Sequence, residues 1–205
     1  MNIKVNGVTS LKQMQQLDGL NVDFAGLVFD RKDSRFVGDL IKKKEIANAD
    51  LDIKTVGIFV NARYDEIMEA IDAYDLDVIQ LHGDEPASLC EQLSAEIEVI
   101  KTFSIGKEGN GSIDDRLQEF DEACDYYLFT GGNGSGDEKF DWEKVSTGHI
   151  EKPFFLSGGI LPPDGGLVKK FRHPDFYGVD LIRDFEKAPG AIDMAAVLQF
   201  TRGLK

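Results

Sequence analysis

At 205 residues the chain fits a single domain over 1–205, long enough to bury roughly 70% of its unfolded surface. Its formal charge of -14 argues against nucleic acid and an anionic membrane surface as partners, and favours a soluble monomer or homodimer. No apolar run approaches ~18 residues, and the start MNIKVNGVTS has no signal-peptide core, so a cytoplasmic protein is expected.

Short apolar runs recur along the chain, most ending in a polar or glycine-rich corner before a helical pattern. They predict strands at 3–5, 24–29, 56–60, 78–81, 99–103, 126–129, 154–156 and 178–181. Between them, SLKQMQQL at 10–17 opens with Ser10 as an N-cap. YDEIMEAIDAY at 64–74 carries an apolar stripe of Ile67, Met68, Ile71 and Tyr74. EPASLCEQL at 85–93 places Pro86 early in a helix, where its missing N–H costs nothing. SIDDRLQEF at 112–120, GGLVKKF at 165–171 and IDMAAVLQFTRGL at 192–204 complete the helical set. Eight strands alternating with helices predict an α/β fold, a (β/α)₈ TIM barrel, with its site where the strands end. Cys90 and Cys124 lie in helix-like amphipathic contexts without metal-ligand spacing and read as buried, reduced thiols.

Chemistry should therefore sit at the corners. Gly158-Gly159 follows the seventh strand, where backbone N–H groups hold a phosphate in many barrels; the alternative is a tight turn. The stretch GGNGSGDEK at 131–139 is a lid over the mouth or a plain connection. It is neither a P-loop nor a dinucleotide fingerprint, because the required spacing and Gly-Lys-Ser/Thr are missing. His82, ending the fourth strand, is a general base, a ligand or a hydrogen-bonded rim histidine. No second His or Cys lies near it to complete a metal set, so neither metal nor cofactor is expected. His149 and His173, in polar surroundings, are given no role. Arg35 is either a bidentate clamp for a substrate carboxylate or a solvated rim residue. Asp180, inside the last strand, is costly to bury alone, so it must face the mouth or be paired.

The segments IKVNGVT (3–9), AGLVFDRKDSRFV (25–37), VGIFVN (56–61), DVIQLHGDEP (77–86), GSGDEKFDW (134–142), FLSGGILP (155–162), YGVDL (177–181) and FEKAPGAID (185–193) together resemble the phosphoribosylanthranilate isomerase family. The resemblance covers nearly the whole chain. It implies a (β/α)₈ enzyme of tryptophan biosynthesis that performs an Amadori rearrangement of N-(5-phosphoribosyl)anthranilate to an aminoketose. In that reaction a general acid helps open the ribose ring, and a general base removes a proton from the adjacent carbon. The resemblance also supports a substrate-binding role for Arg35; His82 and Asp180 are further substrate-binding candidates, and Gly158, Gly159, Ile182 and Arg183 are the phosphate-binding candidates.

The departures fall at strand ends. The family pattern K-x-C-G-x-T places the base at a cysteine; this chain has Asn6. The pattern L-F-D-T places the acid after strand six; this chain reads Leu128-Phe129-Thr130, so the acid position falls at 130 or 129. Neither replacement titrates near neutrality, and losing one such group costs ~10²–10⁴ in rate. After strand eight, Ile182, Arg183 and Asp184 stand where small polar residues help hold the phosphate, and Asp33 replaces a small polar residue. The core retains family-like sequence, which suggests a mouth rebuilt on an intact scaffold by divergence or by engineering. Three functions follow. The chain is the family enzyme with isomerase activity lost or very weak. Or it is a barrel re-purposed for another small-molecule reaction, with Asp33, Asp180, Asp184 or His82 as titratable candidates. Or it is a non-catalytic binder of an aromatic or phosphorylated ligand.

Overall fold

The computed structural model describes residues 1–38, 40, 41, 45, 46, 49, 51–105, 116–131 and 142–205. Strands β1 (Asn2–Asn6), β2 (Phe24–Val28), β3 (Lys54–Phe59), β4 (Val78–Leu81), β5 (Glu98–Ile105), β6 (Tyr126–Gly131), β7 (Phe154–Ser157) and β8 (Phe176–Leu181) form a closed barrel in chain order. Every neighbouring pair is parallel, and β8 returns to β1 with Lys4 opposite Asp180. All eight sequence-predicted strands are present. β3 and β8 begin two residues before their apolar runs, because Lys54 and Phe176 join the ladder beside partners already in register. Exposed Lys54 carries no hydrophobic signal of its strand.

Aspartates just before β2, β4 and β6 secure the lower rim. Asp23 accepts the N–H of Ile3 at 2.7 Å, Asp77 that of Thr55 at 2.7 Å, and Asp125 that of Val99 at 2.8 Å. Each uses a carboxylate to satisfy a strand-end donor that would otherwise lack a partner.

Helices α1 (Leu11–Asp18), α2 (Tyr64–Tyr74), α3 (Ala87–Ser94), α4 (Trp142–Ser146), α5 (Gly165–Val168) and α6 (Met194–Gly203) are the described α-helices. Ser10 caps α1 as predicted, accepting the N–H of Gln13. Pro86 is the N-cap of α3, one place before the first helical residue. The 165–171 pattern yields only the four-residue α5. There a Cβ on Gly165 would lie 2.5 Å from the Phe200 carbonyl of α6, so the two backbones touch where no side chain fits. Of 112–120, only 116–120 are described, and they end in a 3₁₀ turn at Gln118–Phe120. The 131–139 stretch falls outside the described residues except Gly131. After β8 a 3₁₀ turn, Arg183–Phe185, leads to the short hairpin β9 (Glu186–Ala188) and β10 (Ala191–Ile192).

The strands bury two apolar regions. One lies between sheet and helices, where Leu27, Ile79, Phe129 and Leu156 meet Leu17, Ile67, Leu93 and Phe200. The other fills the lower barrel interior with Phe24, Val56, Val78, Ile100, Leu128 and Phe155. Phe24 and Phe155 meet edge to face at 5.7 Å, which suits their ring quadrupoles. Cys90 is buried on α3, whereas Cys124 is buried in the turn before β6 rather than on a helix. Burial pushes the Cys90 thiol up to about 11 and the Cys124 thiol to about 12. Among the described residues no helix is long and apolar enough to cross a membrane.

Candidate active site

Alternation along a strand sends every second side chain inward, and the inward residues change character toward the C-terminal ends. Above the apolar layer the interior carries Lys4, Asn6, Gln80, Thr102, Thr130, Ser157 and Asp180, all buried. A cavity of about 200 Å³ opens above them. Its wall includes Asn6 from β1, Asp33 and Arg35 from the corner after β2, and His82 from the corner after β4. Thr130 and Gly131 of β6, Gly158 and Gly159 after β7, and Ile182, Arg183 and Asp184 after β8 complete the opposite side. Val28, Ile58 and Val60 supply apolar wall. Residues distant in sequence thus meet because a parallel barrel delivers all its strand ends to one rim.

Thr130 lines this cavity, whereas Phe129 points into the layer between sheet and helices. Of these two β6 positions, 130 is the one that faces the mouth. Asp180 does not line the cavity and is 2% exposed. Its carboxylate receives Lys4 Nζ at 2.8 Å, Asn6 Nδ2 at 2.9 Å and Ser157 Oγ at 2.9 Å. Lys4 also donates to Asn6 Oδ1. The amide of Asn6 is thus fixed at both ends, with its oxygen toward a cation and its nitrogen toward an anion. Burial lowers the pKa of Lys4 against the opposing pull of Asp180.

Arg35 is occupied as well. Its Nε donates to both Glu186 oxygens at 3.0 Å, its Nη2 to Oε2 at 2.7 Å, and its Nη1 to Asp33 at 3.3 Å. These bonds, above all that to Glu186, raise its pKa further. Gly7 makes the pairing possible: it holds φ +80°, and a Cβ there would lie 2.7 Å from Glu186 Oε1 and 2.9 Å from Arg35 Cδ. Asp33 also caps its own turn by accepting the N–H of Arg35 at 2.7 Å.

His82 is exposed to the mouth, and its Nδ1 lies 2.9 Å from Gln80 Nε2. Crowding by surrounding protein, despite that open face, holds its pKa below the ordinary imidazole value. His149 lies at the surface near Glu151, and His173 packs on Phe154, both away from the cavity wall. Gly158 and Gly159 adopt φ +84° and +66°, left-handed backbone that glycine takes at no steric cost. Arg183 and Asp184 are exposed beside them. Among the described residues, no three His, Cys, Asp or Glu side chains are grouped to hold a metal ion.

Sequence reasoning missed Lys4, Gln80, Ser157 and Glu186. The signal for the first three was a polar residue interrupting an apolar run at the inward parity. Glu186 gave no such signal, because its role depends on the chain folding back to Arg35. A neighbouring groove holds a further buried pair, Lys101 with Glu85 at 2.7 Å, in which Glu85 also receives the N–H groups of Asn61 and Gly83. That pair shapes the corner carrying His82.

A model of the N-(5'-phosphoribosyl)anthranilate (PRA) isomerase family matches residues 3–202. The chain is 34% identical over 206 residues to N-(5'-phosphoribosyl)anthranilate isomerase from Parabacteroides distasonis, covering 98% of this chain and 91% of that protein. Among solved structures it is similar in fold to phosphoribosyl anthranilate isomerase from Thermotoga maritima, with TM-score 0.86 and 24% identity, covering 99% and 98% of the two chains. It is also similar to a phosphoribosyl anthranilate isomerase in complex with reduced 1-(o-carboxyphenylamino)-1-deoxyribulose 5-phosphate, with TM-score 0.78, 23% identity, and coverage of 99% and 97%.

Proposed function

The chain belongs to the phosphoribosylanthranilate isomerase family of tryptophan biosynthesis, and from that premise we propose that it keeps the family's barrel and ligand mouth while its isomerase activity is lost or very weak. One observation supports this: Asn6 and Thr130, the positions that the resemblance assigns to the family's base and acid, both line the cavity. The Amadori rearrangement needs one group to protonate the ring oxygen and another to remove a proton from the neighbouring carbon. An amide and a hydroxyl do neither near neutrality. Asn6 is further tied to Lys4 and Asp180, so its amide cannot reorient toward a ligand without breaking both bonds.

The surrounding residues support ligand binding more than proton transfer. The Gly158 and Gly159 N–H groups, with Arg183, would hold a phosphorylated group, and Ile182 and Asp184 would weaken that hold. Arg35 would meet a carboxylate with whatever donor capacity Glu186 leaves free. His82 would close the opposite side, and Asp180 would act from beneath by fixing Asn6. Residues 1–205 act as one domain in this function, and no cofactor takes part.

A direct assay on phosphoribosylanthranilate, with complementation of a strain lacking the isomerase, tests the proposal. Two independent losses of the size typical for acid–base groups predict turnover ~10⁴–10⁸ below family rates. Complementation or near-family turnover would overturn it. The alternative, a barrel re-purposed for another small-molecule reaction, is favoured by the carboxylates of Asp33 and Asp184 on the cavity wall. Loss of such a reaction on Asp33→Ala or Asp184→Ala would distinguish it from a binding module.

A further inference from the structure

Gln80 is wholly buried on β4, and among the described residues its Oε1 is the one buried side-chain oxygen or nitrogen without a hydrogen-bond partner. Its other terminal atom touches two groups, His82 Nδ1 at 2.9 Å and Thr102 Oγ1 at 3.1 Å. Which way the amide faces follows from counting donors. With nitrogen toward these groups, both N–H bonds are used and one oxygen is orphaned. With the amide reversed, two N–H donors would be orphaned in a buried site. An under-satisfied buried oxygen is tolerated more readily than orphaned N–H groups, so the first arrangement wins.

The consequence passes to the imidazole. A nitrogen that accepts an N–H bond carries no proton, so the proton of neutral His82 lies on Nε2. Nε2 has no hydrogen-bond partner among the described residues, while His82 lines both the central cavity and the adjoining groove. We infer that Gln80 is a positioning residue which locks His82 in the Nε2–H tautomer, making His82 a fixed hydrogen-bond donor to an acceptor oxygen of the ligand.

This rests on the mouth being a ligand site, and it narrows the chemistry available there. His82 with Nδ1 engaged and Nε2 protonated is not a free base, so any proton abstraction in a re-purposed barrel falls to the wall carboxylates Asp30, Asp33 and Asp184. Thr102 has a part as well: as acceptor of the second amide N–H it prevents Gln80 from turning.

Nitrogen NMR on the intact protein labelled with ¹⁵N tests the inference without reference to any activity, so its outcome is independent of the isomerase assay. At pH 8, with His82 assigned by comparison with His82→Gln, its Nδ1 should resonate as an unprotonated acceptor and its Nε2 as protonated. A scalar coupling through the hydrogen bond should link Gln80 Nε2 with His82 Nδ1. In Gln80→Leu that coupling should vanish and the two tautomers should mix, with the amide spectrum of the rest of the barrel kept. A merely space-filling Gln80 would leave the tautomer unchanged. A proton on Nδ1 in the unsubstituted protein, or absence of the nitrogen–nitrogen coupling there, would overturn the inference even if Gln80→Leu did not fold.

Discussion

The lower and upper halves of the barrel interior are built from the same eight strands yet obey different rules. Below, Phe24, Val56, Val78, Ile100, Leu128 and Phe155 form a dry apolar layer closed by ring contacts. Above, Lys4, Asn6, Ser157 and Asp180 form a charged network, each bond needing a specific partner. Apolar packing tolerates exchange at constant volume, whereas a buried charge tolerates nothing that removes its counter-ion. Asn6, Thr130, Ile182, Arg183 and Asp184, where the resemblance implies departures from the family, lie in or above the upper half. A mouth can therefore change while the layer beneath it keeps the fold.

The sharpest way to separate the halves is to rebuild the upper one. Asn6→Cys with Thr130→Asp should raise isomerase turnover by ~10²–10⁴, only part of the ~10⁴–10⁸ that two fully effective acid–base groups would return, and still fall short of family rates. The shortfall is expected because remote phosphate binding positions the reacting carbon. Adding small polar residues at Ile182 and Arg183, with Asp184→Arg, should give a further gain. Full family turnover from the double variant alone would show that the corner after β8 is neutral.

Stability variants probe both halves with one measurement. Phe155→Ala should cost about 3–5 kcal/mol in urea denaturation, through lost burial and the cavity left behind. Lys4→Met should cost about as much, because it leaves the Asp180 carboxylate buried without its cation. The halves differ in the repair: Lys4→Met with Asp180→Asn should be milder than Lys4→Met alone, whereas no second truncation rescues Phe155→Ala. A double variant no better than the single one would erase the distinction.

Alkali acts chiefly on two thiols outside both halves. Cys90 and Cys124 have folded pKa values near 11 and 12, above the ordinary thiol value. The unfolded chain therefore releases its thiol protons first, so stability contributed by each is intact below pH ~8.5–9 and declines as pH rises toward the folded value. Within that window each thiol should lower stability by about 1.4 kcal/mol per pH unit. Lys4 works in the opposite direction, since its folded pKa is lowered and the unfolded chain holds that proton longer. Urea midpoints between pH 8 and 11 should therefore fall less steeply in Cys90→Ala with Cys124→Ala; an unchanged slope would refute the assignment to these thiols. The smallest effect is expected at the rim. Asp184→Asn should tighten ribose 5-phosphate binding a few-fold at low salt and less at high salt, because the removed charge is exposed. Affinity unaffected by this change would contradict repulsion at that corner.

The barrel was legible because each strand announces itself as an apolar run, and the mouth because corner residues keep their order in the chain. Asn6, Asp33, Arg35, His82, Thr130, Gly158, Gly159, Ile182, Arg183 and Asp184 all reach one cavity wall. What the sequence left open depended on pairing across the barrel. Asp180 could have faced the mouth, and only the approach of Lys4, Asn6 and Ser157 places it beneath. Arg35 looked free because Glu186, its partner, lies 151 residues away. Which of 129 and 130 faces the mouth depends on the parity of β6, and periodicity within so apolar a run cannot say.

The seam between β1 and β8 joins the beginning of the chain to its end. Asn2 reaches the Tyr177 carbonyl, Lys4 reaches Asp180, Thr9 reaches the Gly190 carbonyl, and Arg35 reaches Glu186. On a ribosome Tyr177, Asp180, Glu186 and Gly190 are made long after the residues they meet. Until residue 180 has been synthesised Lys4 has no anion to meet, so the first strand must wait, with its charge in water, for nearly the whole chain to appear. Contacts of such long sequence separation slow folding, which makes seam closure the expected late step. The polar upper interior therefore comes into existence only when the circle does, and a nascent chain shorter than β8 carries a lower layer of apolar strands without the site above it.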